Sequence, residues 1–207
     1  MLDKPHENGI YSINASFGLS NVHYAPYKPG ALGALGTWEK PIPIPGAVTF
    51  TPEAQGDSYT FYADNLNYFS YTTDNGDAGD LEMAYFPDDF LMDILGWIKD
   101  DNGVLLELAG QPQKPFALLF EVQGVDFDGS INPIRQVYYN VTGAKPTTGY
   151  STTQEGIEVQ TTTMPITCTP LTFPDIGQLA KARVTKKDGA VYNGFFDSVY
   201  IPEPVTP

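Results

Sequence analysis

Two histidines, His6 and His23, and one cysteine, Cys168, are all that this chain offers for nucleophilic or soft-metal chemistry. A relay hydrolase needs a hydroxyl or thiol, an imidazole and an orienting acid. His6 lies in a polar arm, so the imidazole would have to be His23. Neither a Gly-x-Ser-x-Gly elbow nor a Gly-rich loop ending in Lys-Ser or Lys-Thr occurs. One thiol and two distant imidazoles do not make an ordinary zinc site, and His23 is expected to pack beside Tyr24. Oxygen chemistry has more material. Asp74-Asn75-Gly76-Asp77-Ala78-Gly79-Asp80 and Asp126-Phe127-Asp128-Gly129-Ser130 space carboxylates as a calcium loop does. Neither runs on to the Gly and Glu of a full EF-hand loop, and Asx-Gly turns between strands account for both. Glycosidase carboxylates need only meet in space, and no local signature picks a pair among the 25 acids. No catalytic residue, metal or cofactor is assigned from the sequence.

The elements available to hold such groups are mostly strands. Eighteen prolines and 20 glycines punctuate short runs rich in Thr, Val, Tyr and Phe, the pattern of an all-β fold with many turns. Strands are predicted at 19–25, 47–51, 58–63, 80–86, 104–108, 116–122, 134–141, 157–168, 182–186 and 190–200. Asp188-Gly189 reads as a hairpin turn, because Gly accepts the positive φ of a primed turn. Residues 157–163 alternate, and Pro165 then predicts a bulge or an edge.

One short helix is predicted at about 87–97. Asp88 and Asp89 follow Pro87 where carboxylates suit the positive end of the helix dipole. Phe90, Leu91, Ile94 and Leu95 share one face, Gly96 ends the helix, and Trp97 packs back. A helix this short and one-sided must lie on a sheet.

Three stretches resist assignment to compact structure: an arm at 1–16, a tail at 201–207, and the segment 27–45. A loop as long as 27–45 is uncommon in a compact domain and is usually either functional or disordered. Its apolar residues, together with Tyr27, point to burial: Leu32, Leu35, Trp38 and Ile44 make it a candidate inter-subunit loop. The aromatic stretch Tyr59, Phe61, Tyr62, Tyr68, Phe69 and Tyr71 reads as core and interface, since tyrosine joins a large ring to a polar tip.

A chain of 207 residues with one cysteine needs no disulfide staple. No segment approaches the roughly 20 apolar residues of a membrane span, and the polar N-terminal residues do not resemble a signal peptide. A soluble, internally made protein is expected, and its single cysteine fits a reducing cytoplasm. Its net charge is −14. Between Asp74 and Glu107 acids surround the single base Lys99, a surface that repels phosphate. Asp74, Asp77, Asp80 and Glu82 are the candidate acidic surface. Lys181, Arg183, Lys186 and Lys187 form the one basic cluster, readable as a nucleic-acid contact, a solvated strand face or a patch for the acidic surface of a neighbouring copy.

Several blocks, taken in order, carry a family likeness. They are Gly18-Leu19-Ser20-Asn21-Val22-His23-Tyr24-Ala25-Pro26, Pro45-Gly46-Ala47-Val48, Phe61-Tyr62-Ala63-Asp64-Asn65 and Gly79-Asp80-Leu81-Glu82. Pro87-Asp88-Asp89-Phe90 running to Ile94-Leu95-Gly96 and Phe116-Ala117-Leu118-Leu119-Phe120-Glu121 complete the series. Their order and spacing over residues 17–200 resemble the major tail protein, the tail-tube subunit, of long-tailed phages of Gram-positive bacteria.

The resemblance implies a mainly β fold, a sandwich or barrel of tail-tube type with one flanking helix. It implies one domain at 17–200 between an N-terminal arm at 1–16 and a C-terminal arm at 201–207. It further implies rings, usually of six, stacked into a hollow virion tail tube, with no enzyme activity. Implied partners are other copies, tape-measure, tail-terminator and distal tail proteins, and DNA that passes without specific binding. Part of the acidic 74–107 region is then expected to face the lumen. Two features depart from the family pattern, the Gly30–Gly36 insertion and the length of the N-terminal arm. The alternative reading is a monomeric carbohydrate-binding β-sandwich on a virion surface or outside the cell.

Overall fold

The computed structural model describes residues 13–32, 34–152 and 159–204, without the side chains of Ile13 and Asn14. Its first strand, β1 (Ile13–Lys28), is long because four of its later residues pair with two short returns, β2 (Thr37–Trp38) and β3 (Ile42–Pro43). A ribbon then runs out as β4 (Ala47–Ala54) and β5 (Ser58–Ala63), and returns as β6 (Leu66–Thr72) and β7 (Asp77–Met83). Helix α1 (Asp88–Leu95) follows, then the small pair β8 (Ile98–Lys99) and β9 (Leu105–Leu106). The central hairpin is β10 (Phe116–Asp126) with β11 (Ile134–Gly143). Beyond it come β12 (Thr147–Thr148), β13 (Thr162–Cys168), β14 (Leu171–Phe173), β15 (Gly177–Leu179) and β16 (Lys181–Thr185). A 3-10 turn at Lys186–Asp188 and α2 (Ala190–Asn193) end the regular structure.

The main sheet is antiparallel, in the order β2-β1-β10-β11-β13-β7-β4, with β3, β12 and β16 as side pairings. It curls until β1 and β4 approach within 8 Å between Cα atoms. The protein is mainly β, with the features of a sandwich and one short helix packed inside the curl.

β10 shows why the sheet carries two cores. Phe116, Leu118 and Phe120 face the inner one, while Ala117 and Leu119 face a second core on the outside. A strand with both faces covered reads as a continuous apolar run rather than an alternation, which is what Phe-Ala-Leu-Leu-Phe is. In β11 the register slips between Tyr138 and Val141, so both of these face inward while Val137 and Tyr139 face out. The outer core is closed by Trp38, Phe173, Tyr192, Phe195 and Val199.

Helix α1 forms where the sequence predicts it. Phe90, Leu91, Ile94 and Leu95 are buried, and Phe90 meets Tyr24, Phe86 and Phe116 with ring centroids 4.9–5.6 Å apart. The Tyr24 hydroxyl donates to Asp93 at 2.9 Å, pinning α1 to β1. Gly96 has φ +72° and Trp97 donates back to the Leu91 carbonyl, so the helix closes as expected.

Several expectations are corrected. The stretch 190–200, predicted as a strand, is α2 and a turn. Tyr192, Phe195 and Val199 fall at i, i+3, i+7 and all face the outer core, so burial overrides their strand propensity. Asp188-Gly189 makes no hairpin. Asp188 accepts from the Thr185 N–H and hydroxyl, both at 2.7 Å, and caps a 3-10 turn. Pro165 causes neither bulge nor register break against β7. It sits where β12 gives way to β11 along β13, with Ala144 N donating to its carbonyl. A strand residue points N and O toward the same neighbour, so the missing donor falls in that interval. His23 stacks on Phe196 at 4.4 Å rather than beside Tyr24, because adjacent strand residues face opposite sides. β6 and the β14–β15 pair were not foreseen.

Candidate assembly surface

The β4–β7 ribbon leaves the sheet at its Ala54–Asp77 end. Backbone bonds carry the ladder onward through Gln55 N to Gly76 O at 2.8 Å and Thr73 N to Asp57 O at 2.9 Å. Gly76 makes the departure sterically feasible. Its φ is +94°, and a Cβ there would lie 2.0 Å from the Cys168 carbonyl oxygen. The Asp74 side chain accepts from Gly76 N at 2.9 Å and sets this bend. Asp64 and Asn65, both with φ above +50°, turn the ribbon at its tip, as a two-residue primed turn requires.

Cross-strand register makes the hairpin two-faced. Tyr59 opposes Tyr71 and Phe61 opposes Phe69, so four rings share one face. Phe69 and Tyr71 stack at 6.5 Å, and Tyr68, beside the bulge, meets Phe61 edge-on at 6.5 Å. The other face carries hydroxyls, with Ser58 against Thr72 at 3.2 Å and Thr60 against Ser70 at 3.4 Å. Tyr59, Phe61, Tyr62, Leu66, Tyr68, Phe69 and Tyr71 are 47–76% exposed. An isolated two-stranded hairpin is at best marginal in water, and an apolar face of this size marks an interaction site.

The outward face of the sheet beside this hairpin has a different chemistry. β4 presents Thr51 and Glu53, β7 Asp80 and Glu82, and β13 Thr163 and Thr167, while Leu81, Met83, Met164 and Ile166 point into the core. None of the outward-facing residues is basic or aromatic. Of the candidate acids, Asp80 stands exposed, Glu82 accepts from the Thr161 hydroxyl, and Asp74 holds the bend. Asp77 lies inside, buried and paired with Lys181 at 2.8 Å.

The 27–45 segment folds back on its own chain. Ile44 is buried in the inner core, and Leu35 and Trp38 pack against the outer one. The Tyr27 ring lies 5.0 Å from that of Trp38. Only Leu32 of the five candidate residues is fully exposed. Residues 13–16, expected in the N-terminal arm, belong to β1, and His6 lies outside the described residues.

In the Asp126 turn, Lys187 Nζ sits 2.5 Å from Asp126 Oδ2 and holds that carboxyl below its usual pKa. The protein's own ammonium therefore occupies the place a cation would take. Among the described residues no three His, Cys, Asp or Glu side chains are grouped to hold a metal, and no helix is long and apolar enough to cross a membrane.

Sequence reasoning found the aromatic stretch but not Leu66, nor a second apolar patch at the β10–β11 end. There Phe17, Phe127 and Ile131 are exposed, and the available signal was the one apolar residue, Phe127, within the predicted Asp126–Ser130 turn.

No known sequence family matches the chain, and no curated protein matches it. Among solved structures it is similar to the anti-feeding prophage cap, the AFP tube-terminating cap. Identity is 9% and the TM-score 0.33, over 86% of this chain and 99% of that one. A likeness this distant does not establish a shared fold.

Proposed function

We propose that this protein is a structural subunit of a long-tailed phage tail, assembling into stacked rings, hexameric by family resemblance, that form the tail tube. The observation that carries the reading is the two-faced aromatic hairpin held out from the end of the sheet. A protein acting alone gains nothing from four rings on a bare ribbon, whereas a polymer subunit buries them. Open edges on β4, β16 and the hairpin invite strand pairing between copies, and closing a ring removes such edges. The outward face of β4, β7 and β13, acidic and threonine-rich, suits a lumen that DNA crosses without sticking. Tape-measure, terminator and distal tail proteins are then its partners, the virion tail its location, and no catalytic role is assigned.

A bare row of rings is also what a carbohydrate-binding sandwich would display, so that reading stays as the rival. Negative-stain electron microscopy across a concentration series separates them. We expect hollow tubes or stacked rings of constant width, lost when Phe61→Ser and Tyr71→Ser are combined, with the monomer still folded by circular dichroism. A wild-type protein that stays monomeric with tail partners present, and binds glycans through the same rings, would sink the proposal.

A further inference from the structure

The hairpin leaves one end of the β4–β7 ladder, and an apolar recess lies near the opposite end. At the Ala47–Met83 end the chain continues directly into Tyr85 and Phe86. These join Leu91, Trp97, Leu105 and Tyr150 around a groove of about 340 Å³. Phe86 and Leu91 form a buried apolar floor, and Tyr85 and Tyr150 stand exposed at the rim. An ion pair, Glu107 with Lys145 at 2.6 Å, and a bond from Tyr85 to Asp88 at 3.1 Å border it. The recess is therefore apolar below and polar at its margin, as the centre and rim of an interface are.

The geometry points to a head-to-tail contact in which the aromatic face of one copy's β5–β6 hairpin seats in this groove of the next. The occupant is thus a second copy of this chain, and the inference rests on the assembly reading above. Three observations support that choice. Rings of this kind bury about 150–250 Å² each, so the four half-exposed rings of that face leave on the order of 400 Å², about half of one partner's share of a standard interface. Donor and acceptor are different surfaces at opposite ends of one strand pair, as a head-to-tail contact requires. A heterologous contact that does not close by rotation builds a filament. Finally, the hairpin's ring face matches an apolar floor while its hydroxyl face remains to meet water or a neighbouring strand.

The test uses two single-cysteine additions at exposed positions, Tyr68→Cys on the hairpin and Tyr150→Cys on the groove rim. Cys168 does not compete, since it is 1% exposed and burial pushes its thiol pKa up to about 12. Each variant, and their equimolar mixture, is treated with a short bis-maleimide and examined by denaturing gel and by electron microscopy. We expect a dimer band at least tenfold stronger in the mixture than in either variant alone. Assemblies that form while the mixture gives no excess dimer overturn the groove but leave the assembly reading intact. Tyr68→Cys crosslinking best to itself means that hairpins pair face to face, which also overturns the groove. Absence of both assemblies and crosslinks removes the groove and the assembly reading together.

Discussion

Arg135 is held as few surface cations are. Its Nε donates to Glu121 Oε2 at 2.8 Å, and its guanidinium lies 3.9 Å from the Tyr192 ring centre and 4.6 Å from that of Phe196. The Tyr192 hydroxyl donates to the same carboxylate oxygen at 3.0 Å, Arg135 also donates to the Tyr192 carbonyl, and His23 stacks on Phe196. The column fastens the C-terminal segment onto β1, β10 and β11. Both charged side chains are nearly out of water, at 16% and 10% exposure. Removing one partner of a buried pair strands the other, at a cost of about 3–5 kcal/mol. Arg135→Ala is therefore expected to lose at least about 3 kcal/mol in urea unfolding, and adding Glu121→Gln should recover part of that loss. A loss under about 1 kcal/mol would mean that the stacking column is ornamental to stability.

At the scale of elements, what was legible in the sequence was whatever depended on neighbours a few residues away. Helix α1 is the clearest case. Its acids, apolar face and terminal Gly96 lie within ten residues, and each has the role its chemistry suggested. Gly96 is also the point at which that reading can be tested. At φ +72° a Cβ meets its own backbone, and Gln111 Cβ would lie 3.1 Å away. Gly96→Ala should cost about 1–2 kcal/mol, and Gly96→Asn less than half of that, since Asn tolerates the left-handed region. Thermal unfolding of the two variants reads the difference, and equal losses would place the cost in Gln111 crowding instead.

The strands of the central sheet were readable in position but not in partner, because pairing β1 with β10 joins residues about a hundred apart. The C-terminal segment misled for the opposite reason. Val191, Tyr192, Phe195 and Phe196 favour strands locally, yet Asp188 bends the chain and the outer core takes these rings at helical spacing. The candidate site was legible as a cluster of aromatics. Its two-faced character was not, because that requires the Asp64-Asn65 turn to set Tyr59 against Tyr71. The Asp-Asn pair between two strand-like runs was the available signal for β6. The 27–45 loop shows how an apolar surface residue is ambiguous in sequence, since Trp38 and Ile44 needed burial and found it in their own chain.

At the scale of the whole molecule, two forces act on a second copy as it approaches, and they respond oppositely to salt. With a net charge of −14 each copy repels the next, and this repulsion reaches about 30 Å at 0.01 M salt but only about 8 Å at 0.15 M. Contact between an aromatic hairpin and an apolar groove carries no such dependence. The competing route to assembly is ionic. Arg183 and Lys186 stand exposed on and beside β16 without a salt bridge among the described residues, and a neighbour's acidic face would attract them. If hairpin docking dominates, raising salt from about 0.01 M to about 0.15 M only weakens the repulsion, and assembly should begin at a several-fold lower protein concentration by light scattering. If the basic strand dominates, screening removes the attraction and the threshold should rise. Arg183→Gln with Lys186→Gln sharpens the comparison, because it leaves the hairpin intact while making the chain still more acidic. Docking through the hairpin predicts that this variant still assembles at 0.15 M salt and is hindered chiefly when salt is low. Loss of assembly at both salt concentrations would move the contact to β16.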